Sequence, residues 1–192
     1  MPTYQAFDPQ SEMNGRTALG MVKSILHDDI AEILVRHHLN DIDPDAWYRV
    51  QDLLEVFNEV AQQRDGGNSS SIFVSIGMGA ADIGFEGMPP QLKSMSLEEF
   101  LAAYPSRLSV IHHGDVGYVK YEKLNENHFV MTMNVPYPDD MMYGVFYGYA
   151  RHLKPKGQSP SVAYDNRQPR RDKGGEVTIL HITLHADSGD NG

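Results

Sequence analysis

The spacing of apolar residues changes near residue 115. Before that point they recur every three or four residues; after it they alternate. Leu19, Met21, Val22, Ile25 and Leu26 fit a helix that begins near Asn14, and Ile30, Ile33, Leu34 and Leu39 fit a second, capped by Asp28 or Asp29. Asp43, Pro44 and Asp45 offer a cap, a first-turn proline and an acid suited to the helix dipole. A third helix is therefore expected through Trp47, Val50, Leu53, Leu54, Phe57, Val60 and Ala61, stopping at the Arg-Asp-Gly-Gly-Asn run of 64–68. Ser69 to Gly84 is apolar nearly all round and reads as a buried helix, with a strand over Ile72–Ile76 as the alternative. Pro89-Pro90 marks a loop. Ser96 and Glu99 form a capping box for a further helix through Phe100, Leu101 and Leu108, ending before Gly114.

The second half predicts strands over 116–123 and 128–135, joined by a turn at 124–127. Phe129, Met131, Met133 and Val135 fall on one face of the second of these. A helix over 139–153 follows a Pro136-Tyr137-Pro138 corner, and two more strands cover 161–166 and 176–185 around Gly174-Gly175. The last strand is apolar on both faces, which predicts cover on both sides. The expected fold is α+β, with an N-terminal helical half packed on a four-stranded antiparallel sheet and one helix between strands two and three. One domain is expected over 14–185, with flexible tails at 1–13 and 186–192.

Composition narrows the chemistry. A chain of 192 residues suits one domain. It has no cysteine, so disulfides, thiolate metal sites and thiol catalysis are excluded. No apolar run is long enough to span a bilayer, and the first residues carry no signal pattern, so a cytoplasmic protein is expected. A net charge of −10 weighs against binding to nucleic acid or anionic membranes. The charge is uneven: Arg151 to Lys173 holds seven Lys/Arg and two Asp, a local +5 that leaves −15 elsewhere. This segment reads either as a solvated helix end and turn or as a docking point for an acidic protein partner or an anionic ligand tail.

Gly144 and Gly148 lie one turn apart on the helix after the corner. Each costs ~1 kcal/mol relative to alanine in a helix interior, so a close approach by sheet, helix or ligand is expected there. Tyrosines and methionines concentrate in the same half. They suit an apolar pocket with a few polar tips, although a filled core uses the same residue types. Phe129, Met131, Met133, Tyr137, Phe146 and Tyr149 are the expected pocket wall. The nine histidines lack metal-ligand spacing. Gly77-Met78-Gly79 could open a dinucleotide turn only if 72–76 were a strand, and Asp82 stands where a small residue is needed. No nucleophile elbow or phosphate-binding loop is present, so no catalytic residues are assigned.

At the Pro-Tyr-Pro corner and the Tyr143-Gly144-Val145-Phe146-Tyr147-Gly148-Tyr149-Ala150 helix, the chain resembles a superfamily of sensor domains. It comprises haem–nitric oxide/oxygen sensors, four-vinyl-reductase-type domains and TRAPP-like vesicle-tethering subunits. The order of elements agrees from about residue 14 to 185, apart from Arg167–Arg170. The match resumes at Asp172-Lys173-Gly174-Gly175-Glu176. The resemblance implies an apolar pocket between helices and sheet. It also implies where this chain departs from its haem-binding members: Leu108 stands at the haem-ligating histidine, and Tyr137 is followed by Asp139 and Met141 where a serine and an arginine hold propionates. Val177-Thr178-Ile179 occupies the region where the vinyl-reductase type carries cysteines. The resemblance therefore implies a non-haem-like member. The expected function is non-catalytic: a sensory or regulatory domain, forming a homodimer, that binds a small apolar ligand. The alternatives are a haem-binding gas sensor using His112 or His113, and a homo-oligomeric protein-interaction scaffold without ligand.

Overall fold

Asn14 starts the first helix as its side chain suggests: the Thr17 N–H donates to Asn14 Oδ1 at 2.9 Å, and α1 runs Gly15–Lys23. The computed structural model describes residues 3–24, 28–63 and 69–187. The expected helix stop at 64–68 and the apolar Ile25 and Leu26 lie outside the described residues. α2 (Asp28–Arg36), α3 (Val50–Gln63), α4 (Ser69–Glu86), α5 (Pro90–Lys93) and α6 (Leu97–Ile111) complete the first half. The capping box of α6 is formed in both directions between Ser96 and Glu99.

The third helix begins later than expected. Asp43 closes a turn instead of capping it: the Asp45 N–H donates to Asp43 Oδ1 at 2.9 Å and the Ala46 N–H to the Asp43 carbonyl at 3.2 Å. Trp47–Arg49 then forms β2, antiparallel to β1 (Glu12–Asn14), and β3 (His112–His113) pairs with the other side of β1. These three strands make a small sheet in the order β2-β1-β3. A strand partner thus satisfies backbone groups that a helix N-terminus would leave open.

This pairing corrects the expected loose tail over 1–13. From residue 3 onward the segment lies on the core, with Tyr4, Ala6 and Met13 buried. The Tyr4 N–H donates to Asn58 Oδ1 at 2.8 Å, Asn58 Nδ2 donates to the Tyr4 carbonyl at 2.9 Å, and the Ala6 N–H donates to Gln51 Oε1 at 2.9 Å. At the other end, Ala186 belongs to the last strand and the Asp187 N–H donates to the Gly157 carbonyl at 2.9 Å. Residues 188–192 lie outside the described residues.

The second half contains β4 (Tyr118–Asn125), β5 (His128–Asn134), α7 (Asp139–Leu153), β6 (Gln158–Tyr164), a single 3-10 turn at Arg171–Lys173, and β7 (Thr178–Ala186). The four strands form an antiparallel sheet in the order β4-β5-β7-β6. Register places Met131 opposite Leu180 and Val162 opposite Ile182, so apolar side chains meet on one face. Among the described residues, the second face of β7 is only partly covered. Ile179, His181 and Thr183 are half-buried there, and His181 spends its polarity on His128 and Asp165.

The packing order also differs from a helical half laid directly on a sheet. The sheet is covered by α7 and α6, and the N-terminal helices reach it mainly through α4 packed on α7. That contact is a backbone-to-backbone crossing. A Cβ on Gly77 would stand 2.0 Å from the Met141 carbonyl oxygen, and one on Gly144 would stand 2.1 Å from that of Val74. One on Gly148 would stand 2.6 Å from Ala81 Cβ. The close approach expected at Gly144 and Gly148 is therefore made by a helix. Gly77 and Gly79 lie inside α4, which removes the dinucleotide-turn alternative.

Candidate functional site: an apolar cavity beside the helix crossing

Where α4 and α7 diverge from their crossing, α1 and α6 close the gap and leave a cavity of about 340 Å3. This lies in the lower part of the roughly 300–1,000 Å3 range of small-molecule sites. Leu19 and Met21 of α1, Ile83 of α4, Leu108 of α6, and Met142 and Val145 of α7 supply apolar wall. Tyr104, Arg107, His112, Tyr137 and Tyr149 supply its polar points. Gly84 makes room for one of them, since a Cβ there would stand 2.4 Å from the Tyr149 hydroxyl.

His112 and Tyr137 form a buried pair in the wall. His112 Nδ1 lies 3.0 Å from the Leu108 carbonyl, and Nε2 lies 2.5 Å from the Tyr137 hydroxyl. A carbonyl only accepts, so Nδ1 carries the proton and Nε2 accepts from the phenol. Burial holds the imidazole pKa below its usual value, against the opposing pull of the Leu108 carbonyl, and keeps it neutral. Burial also pushes the Tyr137 phenol well above its usual value, with Tyr104 adding to the effect, so its proton stays on oxygen. The Pro-Tyr-Pro corner sets this geometry by turning the chain from β5 into α7 with Tyr137 buried between them.

Of the six side chains expected to line a pocket, the structure brings two to the cavity, Tyr137 and Tyr149. Phe129, Met131, Met133 and Phe146 are at most 2% exposed and fill the core between α7 and the sheet, away from the cavity wall. The physical reason is the glycine crossing: it draws α4 onto α7, so the space opens to the side, against α1 and α6. Sequence reasoning missed Tyr104, Arg107 and the α1 residues as site residues. The available signal was Tyr104 and Leu108 at helical spacing on α6, eight and four residues before His112.

Leu108, Asp139 and Met141 occupy the three positions where the resemblance marked departures. Leu108 is in the cavity wall and has no atom that can ligate. Asp139 is consumed by the fold: its carboxylate accepts from the Thr178 hydroxyl at 2.5 Å and the Asp172 N–H at 2.8 Å. Its own N–H donates to Asp172 Oδ2 at 2.9 Å. Met141 is fully buried under Gly77. Burial, and then the charge of Asp139, raise the Asp172 pKa to about 6.

Much of the basic segment is engaged internally. Arg170 donates to Asp140 Oδ1 at 2.6 Å and stacks over Tyr164 at 4.2 Å. Arg167 pairs with Asp165, Lys154 donates to the Gln158 carbonyl at 2.6 Å, and Arg171 sits over the Phe7 ring. Burial alone would raise the Asp140 pKa. Hydrogen bonds from Arg170, Tyr164 and Ser70 outweigh that and hold it below the usual carboxylate range.

No protein-family model matches the chain, and no curated protein matches it in sequence. Solved structures do match in fold. An H-NOX protein from S. oneidensis in its Fe(II)NO ligation state has a TM-score of 0.69 at 14% identity, covering 90% of this chain and 99% of that one. A mutant H-NOX from T. Tengcongensis has a TM-score of 0.68 at 16% identity, covering 92% and 100%. The Fe(II) unliganded H-NOX protein from K. algicida has a TM-score of 0.68 at 11% identity, covering 92% and 98%. The chain thus shares the fold of H-NOX domains, mixed helix and antiparallel sheet. Among the described residues, no helix is long and apolar enough to cross a membrane.

Proposed function

We propose that this chain is a non-catalytic sensory domain that binds a small molecule in the cavity between α1, α4, α6 and α7. One observation carries the reading. The cavity is of ligand size and mostly apolar, with a few polar groups in its wall, as small-molecule sites are. The likeness in fold to H-NOX domains supports a sensory role.

Haem is the second reading, and His112 favours it. A metal-binding imidazole commonly donates one N–H to a carbonyl and offers the other nitrogen as a lone pair. His112 does this, with the Tyr137 proton occupying the lone pair. His112 would hold the iron only if the Tyr137 ring moved, since its hydroxyl oxygen stands 2.5 Å from Nε2, and Arg107 and Arg16 are the cavity-wall cations that could pair with the carboxylates. Bound there, haem would supply an iron centre for a diatomic gas. The chain's own residues would fix the imidazole tautomer and keep water from the face of the ring.

Two measurements on the purified full chain test these readings. Native mass spectrometry reads any retained molecule, and titration with haemin reads a shift of the Soret band. A retained or added molecule lost on filling the cavity with Val145→Trp supports the sensory reading. A Soret shift abolished by His112→Ala selects haem. A bare protein that takes up neither haemin nor an apolar dye sinks both.

A further inference from the structure

The whole chain has 26 Asp and Glu against 16 Lys and Arg, yet the cavity wall holds two arginines and no acid. Arg16 is at the rim, exposed and paired with Asp45 at 3.0 Å. Arg107 has no ion pair or hydrogen bond among the described residues. Tyr104 and Tyr149 also line the cavity, and their hydroxyls have no hydrogen bond to a described residue. Burial is the main force raising both phenol pKa values, so both hydroxyls keep their protons and can donate. The three groups belong together in space. The charge on Arg107 is felt at both phenols, and Tyr104 feels Tyr149. Arg107 and the two phenols are thus donors without a partner among the described residues, in a wall that is mostly apolar and holds no carboxylate.

Donors set in a mostly apolar wall gain most from a charged acceptor, which makes the stronger, charge-assisted hydrogen bond. Resting on the small-molecule reading above, we propose that the ligand is an apolar molecule bearing a single carboxylate. The carboxylate lies against Arg107 with the Tyr104 and Tyr149 hydroxyls donating to it, and the apolar body lies against Leu19, Ile83 and Val145. One free guanidinium matches one negative charge. A dianionic phosphate would bring a second charge that only Arg16 could meet, and Arg16 stands at the exposed rim, paired with Asp45.

Decanoate and decanol test this by calorimetric titration of the full chain, because they share an apolar body and differ in the head group. Decanoate is expected to bind at least tenfold more tightly. Arg107→Met should remove that preference while leaving decanol affinity within about threefold, since Arg107 is half-buried and its replacement keeps the apolar stem. The pair Tyr104→Phe and Tyr149→Phe keeps both rings in place and should weaken decanoate selectively. Equal affinity for the two probes would overturn the carboxylate and leave the cavity reading standing. Tight decanoate binding indifferent to Arg107→Met would overturn the assigned site. Binding of neither probe would overturn both the inference and the reading beneath it.

Discussion

At the scale of single residues, His112 and Tyr137 hold the cavity wall together. The bond between Nε2 and the phenol is buried, so losing the donor leaves an unsatisfied nitrogen. Tyr137→Phe is expected to lower stability by about 1–3 kcal/mol in urea unfolding. A loss below about 0.3 kcal/mol would mean that the pair is not formed. Tyr137 stood out in the sequence at the Pro-Tyr-Pro corner, and a tyrosine that is buried needs a partner for its polar tip. The partner was not legible. His112 is 25 residues earlier, at the end of α6, and only the path of the chain brings the two together. The same limit hid Tyr104, which the sequence did not single out and which the path of the chain brings to the same cavity as Tyr149.

Among the elements, the α4–α7 crossing decides where space is left. Gly144 shows how a substitution can change sign with context. In an isolated helix, glycine to alanine gains ~1 kcal/mol. Here the added methyl would press on the Val74 carbonyl, which cannot move without shifting α4. Gly144→Ala is expected to destabilise by more than about 2 kcal/mol in thermal or denaturant unfolding. A stabilised variant would contradict the crossing. The bounds of α7 at 139–153 were legible, because the proline corner, first-turn acids and basic last turn all agree. The capping box of α6 was equally local. β1 and β2 were not legible, being three residues each and defined by one another across more than thirty positions. The helix signals at Asp43 and Pro44 were chemically sound, but the strand partner at 12–14 overrode them.

For the molecule as a whole, buried carboxylates give stability a pH dependence of two signs. Asp172 has a folded pKa of about 6, above the unfolded carboxylate value of about 3.9. The native state therefore binds more protons between those values, so this group's contribution falls as pH rises from about 4 to 6 and is level above. Asp140, held low, contributes stability that is full above about pH 4 and is lost as pH falls below it. Asp172→Asn keeps an acceptor for the Asp139 N–H and removes the charge. Wild type minus variant, measured by urea unfolding at pH 4.5, 5.5 and 6.5, should fall by on the order of 2 kcal/mol. A flat difference would show that the carboxyl is solvated in the folded protein.

His112 has two attachments at once. Its ring faces the cavity, and its backbone is a strand residue paired with Met13 in the small sheet. Whatever nudges that imidazole also tugs the thread formed by residues 12–14, which is stitched on its far side to Trp47–Arg49. The leading arm is therefore coupled like a pull-cord to the state of the chamber, and anything fused to it would sense the chamber from outside.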